Sequence, residues 1–215
     1  MTYSKTLSTK EGVVKAPSAN VYRADLTAGS LKVSESRIVA GLLLEEVSDE
    51  RWKQAFYQEN VLKSKNPNTT QRLVRLLRQR LETMDRTLWI MVRDGSLSLS
   101  TQALFACAMK HSRLLSDFIR LCLQERLRSF SKELTKKDFN HFIEDCSGRD
   151  ESVLSWSPET VRRLSSSVFQ ILQQAGYLNN TREMLLQRPL FEPELIEYLK
   201  HKQENGILKT ILLPP

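Results

Sequence analysis

Arginines recur in the stretch 69–93 at a spacing that would let them contact a polyanion together. They are Arg72, Arg75, Arg78 and Arg86. At 100° per residue these positions share one side of a helix, opposite an apolar stripe. Because the guanidinium fork matches phosphate oxygens and guanine edges, this face is a candidate surface for nucleic acid. The competing interpretation is a solvated face whose charges pair with Glu82 and Asp85.

A second concentration of positive charge lies in the stretch 126–137. Its cations are Arg126, Arg128, Lys132, Lys136 and Lys137, against the single acid Glu133. Clustered cations act together on neighbouring phosphates, whereas exposed charges separated by more than about 8–10 Å are screened at physiological salt. This basic stretch is therefore a second candidate contact for nucleic acid.

The order of predicted elements from 134 to 190 resembles a winged helix-turn-helix. A helix over 136–145 is followed by a polar link of about eleven residues and by a helix that starts at Ser157-Pro158-Glu159. Asn179-Asn180 then predicts a turn before the extended-looking segment 184–190. In such units the second helix enters the major groove. The candidate contacts near the beginning of that helix are Thr160, Arg162, Arg163 and Ser166. The link is longer than the usual three or four residues, and a purely structural role is the alternative.

Residues typical of catalysis or metal binding form no recognisable constellation in this sequence. The three histidines are His111, His141 and His201, and the three cysteines are Cys107, Cys122 and Cys146. These residues are far apart in sequence, and no Cys-x-x-Cys pair is present. The chain also lacks a phosphate-binding loop, a dinucleotide-binding glycine motif and a nucleophile elbow. The sequence therefore predicts no enzyme, cofactor or metal site, while a site assembled from distant residues is left open.

Composition is typical of a globular helical protein. Of the 215 residues 40% are hydrophobic and 27% are charged, with only seven Gly and seven Pro. Lys and Arg number 32 against 25 Asp and Glu, and the net charge of +7 suits a polyanion, although many helical proteins carry such a surplus. Apolar runs such as 38–44 are far shorter than the about 20 residues of a membrane span. With no signal peptide evident, we expect a cytoplasmic protein without a membrane partner.

Apolar periodicity predicts an all-α fold, a compact bundle of eight or nine helices. The first residues, 1–21, show no helical period, so we expect a flexible N-terminal arm there. A single helical domain then covers 22–215, with a subdivision near 134 and a small winged-helix-like C-terminal part left open.

The clearest helix is predicted over 69–93. Asn68 would cap its beginning and Gly95 would end it, while Leu77 and Leu81 belong to its buried stripe. Ser100 is predicted to cap the next helix. Near the C-terminus, the apolar segment 207–213 is predicted to be a strand or packed coil.

Short segments spread along most of the chain stand in a characteristic order. They are Tyr22-Arg23-Ala24-Asp25-Leu26, Gly29-Ser30-Leu31, Glu35-Ser36-Arg37, Leu42-Leu43-Leu44, Trp52, Glu59-Asn60-Val61-Leu62, Arg80-Leu81, Asp117-Phe118, Trp156-Ser157, Thr160 and Gly176. Their order and spacing resemble those of the BrxA family, a small accessory component of BREX phage-defence systems. None of these segments is a catalytic signature, so the resemblance transfers no functional residues.

The resemblance implies a helical fold similar to the nucleic-acid-binding protein NusB and a non-enzymatic accessory role in bacterial phage defence. It also implies other BREX proteins as partners, among them a DNA methyltransferase, a large ATPase and an alkaline-phosphatase-like component. Two functions stay open, namely double-stranded DNA binding through basic helical surfaces and a protein–protein scaffold that contacts no nucleic acid. The candidate DNA contacts rest on charge and periodicity alone.

Overall fold

The computed structural model describes residues 21–26, 29–64 and 66–212, and these residues form helices with short connections. The helices are α1 (Val33–Leu44), α2 (Asp49–Lys53), α3 (Pro67–Leu81), α4 (Arg86–Asp94), α5 (Leu97–His111), α6 (Arg113–Phe118), α7 (Gln124–Arg128), α8 (Lys136–Ser147), α9 (Pro158–Gln174), α10 (Pro193–His201) and α11 (Asn205–Ile211). One π-helical turn, Gln54–Gln58, continues α2, and another, Ile119–Leu123, joins α6 to α7. A 3₁₀ turn, Glu151–Ser155, precedes α9. The all-α prediction is confirmed for this part of the chain.

Helix α5 occupies the centre of the bundle because it is apolar on nearly all sides. Phe105, Cys107 and Ala108 are fully buried although they point in different directions around the helix. Its neighbours are α1, α3 and α4 from the first half of the chain and α6, α10 and α11 from the second. The two halves therefore share one continuous core.

Aromatic packing attaches α8 and α9 to this bundle. The ring of Phe118, in α6, lies 5.3 Å from the rings of Phe139 and Phe142 in α8. It also lies 6.4 Å from the ring of Phe169 in α9. Tilted and edge-on contacts at these distances are favourable for aromatic pairs. The C-terminal helices that carry several candidate residues are thus fixed to the bundle through α6.

The segment 69–93, predicted as a single helix, is two helices. The chain turns before Asp85, whose backbone is extended and whose carboxylate accepts hydrogen bonds from the N–H groups of Thr87, at 3.1 Å, and Leu88, at 3.4 Å. This aspartate caps α4. The beginning of the first helix also differs from the prediction, because Asn66 caps α3 and not Asn68. The apolar spacing continues across the break since both helices bury their faces against the same core.

Two further boundaries differ from the sequence prediction. Ser96 caps α5, while Ser100 lies inside that helix, where its hydroxyl donates to the Val92 carbonyl oxygen at 2.9 Å. The segment 207–213 was predicted as strand or coil, but α11 covers most of it and buries Ile207 and Ile211. Together with the divided helix, this gives ten continuous helical segments in the described ranges, against eight or nine predicted.

Other predictions from the sequence are confirmed or stay open. Leu77 and Leu81 are 1% and 0% exposed, as predicted for the buried stripe. The start at Ser157 is confirmed, since its hydroxyl accepts the Thr160 N–H at 3.2 Å. The predicted arm, 1–21, lies outside the described residues except for its last one. Similarity to NusB stays a prediction.

A segment before α1 crosses from one part of the bundle to another. We call residues 22–26 and 29–31 the N-terminal strap. Tyr22 donates from its backbone N–H to Asp150 at 2.6 Å and from its hydroxyl to Asp117 at 2.8 Å. At the other end of the strap, the Leu31 N–H donates to the Gln174 side chain at 3.0 Å. The strap therefore connects α6, α9 and the turn after α8.

Candidate nucleic-acid interface

The exposed face of α3 carries two arginines that are free for a ligand. Within the described ranges, the side chains of Arg72 and Arg75 form no ion pair or hydrogen bond, and both are exposed. Arg78 differs, because its Nε lies 2.7 Å from Glu82 and its guanidinium lies 4.5 Å from the centre of the Trp52 ring. The predicted pairing with Glu82 is thus present, but it occupies only one of the three arginines.

The fourth arginine of the predicted face is separated from the other three by the turn between α3 and α4. Arg86 starts α4, and its Nη1 donates to the Leu44 carbonyl oxygen at 2.8 Å and to Glu46 at 3.2 Å. It thereby binds the end of α1, where the last carbonyl groups of the helix lack helical partners. The prediction that Arg86 continues the face of Arg72 on one helix is wrong, because Asp85 starts a new helix.

The basic stretch 126–137 contains both paired and free cations. Arg126 forms an ion pair with Asp138, and Arg128 donates to the Gln124 side chain at 3.4 Å. Partial burial opposes ionisation of Asp138, but hydrogen bonds from Thr135 and Arg126 lower the pKa of this carboxyl below its usual range. The exposed cations with neither an ion pair nor a side-chain hydrogen bond in this described stretch are Lys132, Lys136 and Lys137.

Two of these lysines oppose the dipole of their own helix. Thr135 caps α8 and forms a complete capping box with Asp138, so Lys136 and Lys137 occupy the first two helical positions. The beginning of a helix carries partial positive charge, and a cation there costs about 0.3–1 kcal/mol. An anion bound beside them would relieve this repulsion.

Three extended segments follow the order of a winged helix-turn-helix around α8 and α9. Residues 132–134 lie antiparallel to 184–186, with Leu186 N–H donating to the Lys132 carbonyl at 2.9 Å and Leu134 N–H to the Met184 carbonyl at 3.1 Å. The segments 177–179 and 185–187 form a hairpin through backbone hydrogen bonds of 2.8 and 3.1 Å. The order is extended segment, α8, α9, hairpin. The long link between the two helices, expected from the sequence, contains the 3₁₀ turn.

The second turn of α9 presents two arginines that share one carboxylate of the first turn. Arg162 and Arg163 lie 2.8 and 2.7 Å from Glu159 and are largely exposed. Their hydrogen bonds lower the pKa of Glu159 to about 2. Two guanidinium groups and one carboxylate leave a net positive charge at the beginning of this helix, which a phosphate could balance.

Sequence reasoning missed one cation on this side of the molecule. Arg182 lies in the hairpin turn, where its backbone N–H donates to the Asn180 side chain at 2.8 Å. Its side chain is exposed and has no ion pair in the described part of the chain. A basic residue directly after the predicted turn at Asn179-Asn180 was the signal that could have identified it.

The thiols and histidines of the described residues are not arranged as a metal centre. No group of three or more His, Cys, Asp and Glu side chains in these residues could hold a metal ion. Burial raises the pKa of Cys107 to about 12, that of Cys122 to about 12 and that of Cys146 to about 11. These three thiols are therefore protonated at neutral pH and are poor nucleophiles.

Comparison with known proteins places this architecture in a family. The family model for BrxA matches residues 20–203. The chain belongs to the BrxA family. It is 40% identical over 190 residues to the BREX protein BrxA of Paramagnetospirillum magneticum, covering 88% of this chain and 96% of that protein. The BREX protein BrxA of Escherichia coli O9:H4 is 26% identical over 201 residues, covering 94% of each chain.

A solved structure shares the fold of this BrxA-family chain. The crystal structure of an uncharacterized protein from Magnetospirillum magneticum superimposes with a TM-score of 0.83 at 39% identity, covering 90% of this chain and 99% of that one. The family match begins just before the N-terminal strap and ends after α10, so it includes all the candidate residues. In the described residues no helix is long and apolar enough to cross a membrane.

Proposed function

We propose that this BrxA-family chain is a non-enzymatic accessory protein of a bacterial BREX system that binds double-stranded DNA. The relatives that carry the printed name BREX protein BrxA support the role in BREX. The observation that carries DNA binding is the pairing of residues 132–134 with the hairpin 177–187 beside α8 and α9. In this arrangement α9 would enter the major groove and the hairpin would lie along the adjacent backbone.

Exposed cations of this unit could contact phosphates. The set is Lys132, Lys136, Lys137, Arg162, Arg163 and Arg182. They lie on four elements, namely the segment 132–134, α8, α9 and the hairpin, and only the two arginines of α9 share an acid. Contacts of this kind fix orientation and supply affinity without reading sequence, so we expect binding with little sequence preference.

A salt series with charge-reversal variants tests this surface. We expect the parent protein to bind a duplex at about 50 mM salt and to lose affinity steeply toward about 200 mM. Lys136→Glu with Lys137→Glu should weaken binding and reduce the slope of log affinity against log salt by about 2. Arg162→Glu with Arg163→Glu tests α9 in the same way, read by fluorescence anisotropy.

The matched control reverses the two free arginines of α3. Arg72→Glu with Arg75→Glu removes the same number of cations from the other candidate surface, while sparing Arg78 over Trp52. Parent-like binding by this variant assigns the contact to the winged-helix-like unit. If only the α3 variant loses binding, α3 is the DNA surface. A parent that binds no duplex at low salt contradicts DNA binding altogether.

A protein–protein scaffold is the second candidate function, and exposed apolar side chains favour it. Leu190 is 92% exposed and Leu97 is 70% exposed. Both side chains lie near Pro189. Apolar side chains grouped at a surface are typical of protein interfaces. The partners implied are the BREX methyltransferase, ATPase and phosphatase-like component. Co-purification of one of them with the parent but not with a Leu190→Ser variant would support the scaffold.

A further inference from the structure

A cleft between α8 and α9 has the chemistry of a nucleotide site. Its volume is about 500 Å³, within the range of about 300–1,000 Å³ typical of small-ligand sites. Its wall from α8 includes Lys136 and Asn140, and its wall from the α9 side includes Trp156, Val161 and Ser165. An aromatic side chain and hydrogen-bonding groups therefore line the same cleft.

The apolar part of the cleft centres on Trp156. This side chain follows the 3₁₀ turn and packs against the core, but it is only partly buried and lines the cleft. Val161 and Ile143 continue the apolar wall. An indole in such a position is suited to stacking with a planar base, which every nucleobase can provide.

The polar part of the cleft includes a buried hydroxyl without a partner. Ser165 is 5% exposed, and its Oγ has no hydrogen-bond partner in the described residues. A serine in a helix ordinarily satisfies its hydroxyl with water or with the carbonyl four residues before it, and an orphaned one is costly. Because a serine side chain can turn between staggered rotamers, a ligand in the cleft can give this hydroxyl its partner. The neighbouring Asn140 amide offers both a donor and an acceptor to a base edge.

The charges around the cleft favour an anionic ligand over an apolar peptide. Lys136 has no ion pair among the described residues, and Arg162 stands at the opposite wall. Glu144 is the acid that lines the cleft, and Arg162 also contacts Glu159 outside it. A ligand with a planar ring and a phosphate would stack on Trp156 and hydrogen-bond to the Ser165 hydroxyl. Its phosphate would pair with the two cations.

We propose that this cleft holds one unstacked nucleotide of bound DNA, with its base against Trp156 and its phosphate near Lys136 and Arg162. The inference rests on the proposed function, because the cleft lies between the two helices that would meet the duplex. A base that is unpaired before binding costs less to extract from the stack. The protein should therefore prefer duplexes with an unpaired base over fully paired ones.

The test uses two duplexes of equal length, one fully paired and one with a single bulged 2-aminopurine. We expect the full-length protein to bind the bulged duplex about tenfold more tightly and to change the fluorescence of the 2-aminopurine. Trp156→Ala should abolish this preference, so that the two duplexes bind with equal affinity, and Ser165→Ala should reduce it. Trp156→Phe, which keeps an aromatic ring, should retain part of it and guards against a folding defect.

The matched control is Leu154→Ala, which removes an exposed apolar side chain from the same 3₁₀ turn but outside the cleft. It should bind both duplexes like the parent. Equal affinity of the parent for paired and bulged duplexes overturns the inference but leaves the proposed function standing. A preference that survives in Trp156→Ala also overturns it. If the parent binds neither duplex, the proposed function fails as well, and a peptide becomes the better occupant.

Discussion

At the scale of single residues, Arg80 shows how little a positive charge by itself indicates about function. Arg72 and Arg75 on the same helix face solvent, but Arg80 is 2% exposed and donates to the Ser30 carbonyl at 2.8 Å. Burial lowers the pKa of its guanidinium to about 10, an effect that nearby Asp25 opposes. Asp25 in turn accepts a hydrogen bond from Ser112 at 2.7 Å. This arginine is a structural residue that holds the N-terminal strap.

Replacing Arg80 should therefore cost stability. Arg80→Met removes the hydrogen bonds that the guanidinium donates to the carbonyl groups of Ser30 and Gly29, and it removes the positive charge near the half-buried Asp25. We expect the free energy of unfolding to fall by about 1–3 kcal/mol. Urea denaturation measures the loss, and adding Asp25→Asn should restore part of it. Arg72→Met, on the exposed face of the same helix, should change stability by less than about 0.5 kcal/mol. Equal effects of the two single variants would show that Arg80 is not structural.

His111, at the end of α5, predicts a loss of stability in acid. Burial, with smaller contributions from Arg80 and Arg23, lowers its pKa from 6.5 to about 4. Between these two pH values His111 is protonated in the unfolded chain but neutral in the folded chain. The free energy of unfolding therefore falls as the pH falls from about 6.5 to about 4. The stability that neutral His111 contributes is fully present above about pH 6.5.

The measurement compares the parent and His111→Gln at pH 7 and at pH 5. Because the ring is only partly buried, solvent screening reduces the effect, and we expect this histidine to account for a fall in Tm of about 2–4 °C. His111→Gln should lack that part of the fall. His141→Gln, an exposed position on α8, is the control and should melt like the parent at both pH values. An identical acid response in all three proteins would rule out His111 as the cause.

At the scale of the elements, α3 gives a direct test of the packing. Leu77 is almost fully buried between α3 and the core, and Leu77→Ala should lower the free energy of unfolding by about 2–5 kcal/mol. Leu81→Ala, one turn later, should have an effect of the same size. Gln79→Ala is the control on the exposed side of the helix and should stay within about 0.5 kcal/mol. Unchanged urea midpoints in both leucine variants would mean that this face is not buried.

The elements that could be predicted from the sequence are those with strong local signals. Ser157 and Pro158 mark the beginning of α9 because a cap and a first-position proline act within a few residues. Asp85 caps α4 equally well. The apolar spacing continues across the turn before it, however, so the sequence pattern predicted one helix instead of two. Helix α11 has only seven residues, which is too short for a helical period to stand out.

The candidate site could be predicted residue by residue, but its pairing only in part, as for Arg78 with Glu82. Charge and spacing identified Arg162 and Arg163, whereas their common partner, Glu159, became evident only with the side chains in place. The contact of Arg78 with Trp52 joins two elements, and a helical wheel describes one element at a time. Which cations remain free for a ligand is therefore decided by tertiary structure.

At the scale of the whole molecule, the N-terminal strap joins parts of the chain that are distant in sequence. Tyr22 contacts Asp117 and Asp150, and its ring lies under the Arg113 guanidinium at 4.6 Å. Since the strap and α5 both contact the two halves of the chain, we propose that 22–215 unfold as one domain, without a separate transition for the part after 134.

Removing the Tyr22 side chain tests this proposal. Tyr22→Ala deletes a buried ring, for which the cost is about 3–5 kcal/mol, and a single transition should move to lower urea concentration by both fluorescence and circular dichroism. Deleting residues 1–20, which is all but the last residue of the predicted arm, should leave the midpoint unchanged. Separate transitions for the two probes would instead support two domains with a boundary near 134.

The three protonated thiols have a practical consequence for distance measurements. Because a maleimide or a nitroxide reagent reacts with the thiolate, Cys107, Cys122 and Cys146 should label slowly near neutral pH. An exposed cysteine introduced at Arg182 would then be the fastest-reacting position without removal of the native ones. A second one at Arg72 would place a pair of spin labels on the hairpin and on α3. The separation between these two candidate DNA surfaces could then be followed by pulsed dipolar spectroscopy as a duplex is added.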